Sequence, residues 1–319
     1  MNVIRDEIKD KALKEVGYVK MDGNVLSAED IDTLLNWYLD SSLKKKSNTP
    51  HLHLIDSEDK KELSRFTDKI KDFIYPLLEN IFYDPYFVFG TLVIKFPNEK
   101  DILHLHQDGS FLEDDRHGVS LTCWLPLVDV DIDNGCLGFI DKSHLIYNNN
   151  IRPAPYPAVY LPLKKHAYSL IPYMNMVPMK AGEMVVFNSK TFHGGFPNFT
   201  DKPRYALSIW ITVKDKRLAF YYLKPGTKDS LLKYRVDTDF FTRYDNDLLQ
   251  SMYERKELIN GYEVIAEEKY VVDDFSVRKM VRLMRQLGNT YNRKLADFAS
   301  ARFPNEMKRH WTKFITDWF

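Results

Sequence analysis

Three residues of types that bind first-row metal ions occur in this chain at suggestive spacing. His106 and Asp108 are two apart, so on extended backbone both side chains point to one face and both reach a single small ion. A divalent iron held by one imidazole and one carboxylate needs a second imidazole, with positions left open for dioxygen and a chelating cosubstrate. His193, in Thr191-Phe192-His193-Gly194-Gly195, is the candidate for that third ligand. Eleven residues later Arg204 opens an apolar, strand-like run to Val213, and its planar guanidinium suits bidentate binding of the far carboxylate of a dicarboxylate cosubstrate. His104 offers a different triad with His106 and His193, in the His-x-His manner of cupins. A cupin wants a Glu three or four residues after the second His, whereas Glu113 lies seven beyond His106, which favours Asp108 as the ligand.

The order His-x-Asp, long gap, His, then Arg resembles the iron(II)/2-oxoglutarate dioxygenases, and specifically the phytanoyl-CoA dioxygenase-like family. Glu15-Val16-Gly17-Tyr18-Val19, Lys95-Phe96-Pro97, Asp133-Asn134-Gly135-Cys136-Leu137 and Lys142-Ser143-His144 add to the likeness, which runs from about residue 10 to about 215. The resemblance implies Fe(2+), 2-oxoglutarate and O2 as the reacting set. It also implies oxidative decarboxylation to succinate and CO2, coupled to attack on an unactivated carbon of a small metabolite, natural-product intermediate or acyl thioester. A carboxylate at Asp108, where related halogenases have a small residue, implies hydroxylation or desaturation. Lys95, Thr122 and Trp124 are candidates to line the cosubstrate pocket. Ser208 is a weaker one, since four extended residues from Arg204 is about 13 Å. The rival readings are a cupin-like metalloenzyme that does without 2-oxoglutarate and a catalytically silent binding module.

The elements that must position these residues are legible as patterns. Ser27-Ala28-Glu29-Asp30 is a capped helix start, with Ile31, Leu34, Leu35 and Tyr38 at helical spacing. Leu63, Phe66, Ile70, Phe73 and Leu77 predict a second helix from about Ser57 to Phe82, with Pro76 inside it. Short β-branched and aromatic segments then come at 86–94, 119–127, 137–140, 184–187 and 204–213. Helices followed by many short strands imply a mainly β core, a β-sandwich or jelly roll with helices packed on it, and the family likeness implies the double-stranded β-helix (jelly-roll) form with flanking N-terminal helices. Residues 1–225 are expected to form this domain, and 226–319 a helical extension packed on it, with stripes at Val277 to Leu287, Leu295 to Phe303 and Trp311 to Trp318.

Residues 147–178 hold six prolines and five tyrosines, which fits either a lid over the substrate or a packed surface excursion. His144 is expected to be structural, and His117, His166 and His310 to lie at the surface. Lys44-Lys45-Lys46 and the basic residues of 278–285 are expected to be solvated.

With 319 residues the chain can bury a large core. Lys plus Arg and Asp plus Glu are 45 each, so no global field attracts nucleic acid or an anionic membrane. Two cysteines form no disulfide framework and no long apolar run occurs, so a cytoplasmic protein with a small-molecule or thioester-bound substrate is expected.

Overall fold

The structure is a computed structural model that describes residues 2–43, 51–98, 105–109, 111–114, 119–147, 153–156, 158–159, 163–214, 217–271 and 274–308. His104, His117, His310, the lysine run at 44–46 and the stripe from Trp311 lie outside these residues.

The chain begins with α1 (Glu7–Val16), β1 (Tyr18–Lys20) and α2 (Ala28–Asp40). Ser27 and Asp30 close a reciprocal capping box at the start of α2, as their spacing implies. β2 (His51–His53) precedes α3 (Lys60–Ile81), the long helix that tolerates Pro76. Then come β3 (Pro85–Lys95), β4 (Val119–Pro126), β5 (Leu137–Phe139), α4 (Ala167–Leu170), β6 (Asn175–Met176), β7 (Val185–Asn188), β8 (His193–Gly195) and β9 (Arg204–Val213). The chain continues with β10 (Leu218–Leu223), β11 (Ser230–Val236), α5 (Thr238–Arg243), α6 (Asn246–Glu254), β12 (Glu263–Lys269), α7 (Val277–Gln286) and α8 (Arg293–Arg302).

Six strands form one antiparallel sheet in the order β1-β7-β4-β9-β3-β2, and three form a smaller one, β6-β5-β8. Period-2 alternation separates the two faces of the large sheet. Leu92, Leu121, Cys123, Leu207 and Ile209 share one core with Leu63, Phe66, Ile70 and Ile74 of α3. Register places Thr122, Trp124, Ser208, Trp210 and Arg204 together on the opposite face. Trp124, Val185, Phe187 and Ala206 from that face share a second core with Phe139 of the small sheet. The polar side chains of interest therefore sit on the covered face of an antiparallel sheet.

Beyond residue 225 the expected run of helices begins instead with sheet. β11 pairs with β10 and with β12, and the boundary at 225 falls inside the β10–β11 hairpin. Glu263-Val264-Ile265-Ala266-Glu267-Glu268-Lys269 is rich in helix formers, but pairing along β11 and ion pairs from Glu263 to Arg235 and Glu267 to Lys224 hold it extended. α7 and α8 match the predicted stripes, burying Val277, Met280, Val281 and Met284, then Leu295 and Ala299. They share a core with Leu163, Leu170, Ile171 and Tyr173, so residues 163–174 of the proline-rich stretch are packed chain. His166 lies there fully buried, contrary to its expected surface position. The basic flank Lys164-Lys165 points to an exposed turn, yet the turn into α4 carries the imidazole inward with Ala167 and Leu170.

Candidate metal centre

His106 and His193 are direct cross-strand partners. The His106 amide donates to the His193 carbonyl at 2.9 Å and the His193 amide donates back at 3.0 Å, an antiparallel bridge that sets the two imidazoles side by side with centroids 4.3 Å apart. The Asp108 amide, two residues on, donates to the Ser189 carbonyl at 2.8 Å, which returns the carboxylate to the same face. Asp108 Oδ1 then lies 3.5 Å from His106 Nε2 and 3.9 Å from His193 Nε2. All three residues offer a donor atom within 4.8 Å of the others, the only such group among the described residues. A small cation about 2.1 Å from each donor spaces adjacent donors by about 3 Å, so modest contraction of this group suffices.

The surroundings set the donor chemistry. His193 Nδ1 lies 2.9 Å from the Thr191 carbonyl, which can only accept, so Nδ1 carries the proton and the Nε2 lone pair faces Asp108. His193 is buried between Phe187, at 4.5 Å between centroids, and Phe139, at 6.0 Å. His106 is one-third exposed and marks the open side. Thr122 donates its hydroxyl to Asp108 Oδ2 at 2.9 Å, so it touches the carboxylate.

Arg204 is 2 % exposed, with its guanidinium carbon 5.3 Å from the centre of the Trp124 ring. Nη1 donates to the Val93 carbonyl at 3.3 Å, Nε is buried without a partner, and no carboxylate among the described residues pairs with it. Burial pushes its pKa down to about 10, which still leaves a cation at neutral pH. A buried cation beside an aromatic ring, with an unused donor, fits a ligand carboxylate.

Lys95 stands opposite Arg204 in register, but its Nζ is taken by the carbonyls of Gly195 and Phe196 at 2.8 and 2.7 Å, tying β3 to β8. Ser208 stands opposite Trp124 and Thr91, four residues along the strand from Arg204. His144 Nε2 lies 3.1 Å from the Lys14 carbonyl, an anchor between the turn at 142–146 and α1. Thr191, Phe139 and Phe187 join the site without having stood out in the sequence. A Thr two residues before a candidate His is the only local signal among them, since the two phenylalanines reach His193 through strand pairing.

A solved non-haem alpha-ketoglutarate-dependent carbocyclase, SnoK from nogalamycin biosynthesis, matches with 16 % identity and a TM-score of 0.49, over 67 % of this chain and 86 % of its own. The epimerase SnoN, solved with Fe3+, alpha ketoglutarate and nogalamycin RO, matches with 21 % identity and a TM-score of 0.47, over 84 % and 96 %. HygX from Streptomyces hygroscopicus, solved with nickel and 2-oxoglutarate, matches with 12 % identity and a TM-score of 0.45, over 65 % and 87 %. The family model described as phytanoyl-CoA dioxygenase (PhyH) matches residues 13–206, which span His106, Asp108, His193 and Arg204. The chain belongs to the phytanoyl-CoA dioxygenase family, and is with it a non-haem iron and 2-oxoglutarate-dependent oxygenase-type enzyme.

Proposed function

We propose that this protein hydroxylates an unactivated carbon of a small molecule or acyl thioester, with His106, Asp108 and His193 as the iron ligands and Arg204 as the cosubstrate anchor. The observation that carries the reading is a three-donor group joined through Thr122 to the covered sheet face that also bears an anion-seeking arginine. The two sheets are read as the halves of a double-stranded β-helix. Its catalytic residues all lie within 1–225, with 226–319 as an extension packed on the core. Both cysteines are free and buried, in keeping with a reducing, cytoplasmic setting.

Iron, when bound with 2-oxoglutarate and O2, supplies an oxidation coupled to release of succinate and CO2. The chain's own part is position and dryness. The bridged backbones of His106 and His193 fix two donors, and the Thr191 carbonyl keeps the proton of His193 on Nδ1. Phe139 and Phe187 keep water from the buried imidazole. Arg204, steadied by Trp124 and the Val93 carbonyl, holds the far carboxylate. Lys95 contributes by fixing β8 through the Gly195 and Phe196 carbonyls.

The test is anaerobic titration of the apo-protein with iron(II) and then 2-oxoglutarate. A weak visible charge-transfer band is expected, absent in His193→Ala and Arg204→Ala, with succinate release once oxygen and a substrate are added. Stoichiometric iron binding without the band would defeat the 2-oxoglutarate assignment and turn attention to His104 as a cupin-like ligand.

A further inference from the structure

We infer that Thr122 is a positioning residue for Asp108, one that fixes which carboxylate oxygen faces the metal. The inference rests on the reading of His106, Asp108 and His193 as ligands, and it gives Thr122 a role other than lining the cosubstrate pocket.

Thr122 lies in the middle of β4, paired with β7 on one side and β9 on the other, so its backbone cannot shift without moving the large sheet. The residue is 2 % exposed. Its hydroxyl lies 2.9 Å from Asp108 Oδ2, and an ionised carboxylate only accepts, so the hydroxyl donates. The other oxygen, Oδ1, is the one that lies 3.5 Å from His106 Nε2 and 3.9 Å from His193 Nε2. The two carboxylate oxygens thus have separate tasks: Oδ2 is held by the sheet and Oδ1 is offered to the metal.

The distinction matters because Asp108 is in a loop. Its amide is anchored at Ser189, but that backbone bond does not itself fix the rotation of the carboxylate about the Cβ–Cγ bond. A freely turning carboxylate chelates through both oxygens and fills a position that dioxygen or the cosubstrate needs. The hydroxyl on Oδ2 opposes that rotation and favours attachment through one oxygen. Thr122 does this without touching the ion, so its effect passes entirely through Asp108.

The experiment titrates the full-length apo-protein with cobalt(II), reading affinity by chelator competition and coordination from the visible ligand-field band. Thr122→Val keeps the shape and removes the donor, Thr122→Ser keeps the donor, and Asp108→Ala removes the ligand. Thr122→Val is expected to weaken cobalt binding about 10- to 100-fold and to alter the band as a second carboxylate oxygen displaces a bound water, while Thr122→Ser stays close to wild type. Should Thr122→Val fail to fold, Thr122→Ala is read in its place. Wild-type affinity with an unchanged band in the hydroxyl-free variant, alongside loss of cobalt in Asp108→Ala, would overturn the positioning role alone. Retention of wild-type cobalt binding by Asp108→Ala would instead overturn the ligand set on which it rests.

Discussion

Arg204 carries a charge into the covered face of the sheet with no carboxylate among the described residues to receive it. Burying an ion without a counter-ion costs several kcal/mol, so on the proposed reading its presence in the ligand-free protein is a standing destabilisation that the cosubstrate's far carboxylate would relieve. Arg204→Met is therefore expected to raise the stability of the ligand-free protein, by about 1–4 kcal/mol, while abolishing the thermal shift given by 2-oxoglutarate. A lower melting temperature in that variant would make the arginine structural. The pH dependence has the same origin. Because burial lowers the folded-state pKa to about 10, the folded protein binds fewer protons than the unfolded chain between that pH and the ordinary arginine value. Ligand-free stability should rise with pH across that window as cosubstrate affinity falls, which thermal melts with and without 2-oxoglutarate would show. The meeting of His106, Asp108 and His193 is legible in the sequence, through donor type, spacing and the family likeness together. Thr122 stands out there too, but its contact with Asp108 does not, since that reach depends on how β4 faces a loop fourteen residues away in sequence. The burial of His166 is hidden for a related reason: local polarity reports on neighbours in sequence, whereas burial depends on the turn.

At the scale of elements, the junction of α1 and β1 controls the turn that leads into β8. Gly17 ends α1 at a φ of 98°, left-handed backbone that glycine adopts freely. Its carbonyl accepts a hydrogen bond from the Thr191 hydroxyl at 2.8 Å, and a Cβ built on Gly17 would fall 2.5 Å from His144 Nδ1 and 2.7 Å from Thr191 Oγ1. Gly17→Ala should therefore cost more than about 1 kcal/mol and, by displacing Thr191, weaken metal binding at His193 two residues on. Calorimetry and metal titration on the same variant check both effects. Loss of stability with unchanged metal affinity would show that the turn is insulated from α1. α2, α3 and the strands β3, β4, β5, β7 and β9 are readable because period and residue type agree there, whereas α1, β6 and β8 are too short or too weakly patterned to stand out. β12 is not, because its intrinsic preference is helical and its extended form is imposed by β11, a partner about thirty residues away in sequence.

For the molecule as a whole, the question is whether the catalytic region can stand without the residues after 225. The family match ends at residue 206, but the core does not. Leu232, Tyr234, Phe240, Phe241, Leu249 and Ile259 belong to the same cluster as α3 and the outer face of the large sheet. The segment just after the metal loop packs on the same region, since the Phe111 ring meets Phe241 at 5.5 Å between centroids. α7 and α8 cover a separate cluster that includes Leu105, Phe192 and Phe196, residues that flank His106 and His193 in sequence. The two pieces of the extension should therefore fail differently. A chain ended at 225 loses the partner of β10 and part of the main core, and is expected not to fold cooperatively. A chain ended at 270 keeps that core but uncovers the cluster behind the two histidines, and is expected to fold, bind a hydrophobic dye and hold metal more weakly than wild type. Urea unfolding and metal titration of both truncations distinguish these outcomes. Cooperative folding of 1–225 with full metal affinity would make the extension a separable domain, and would leave the shared core without energetic consequence.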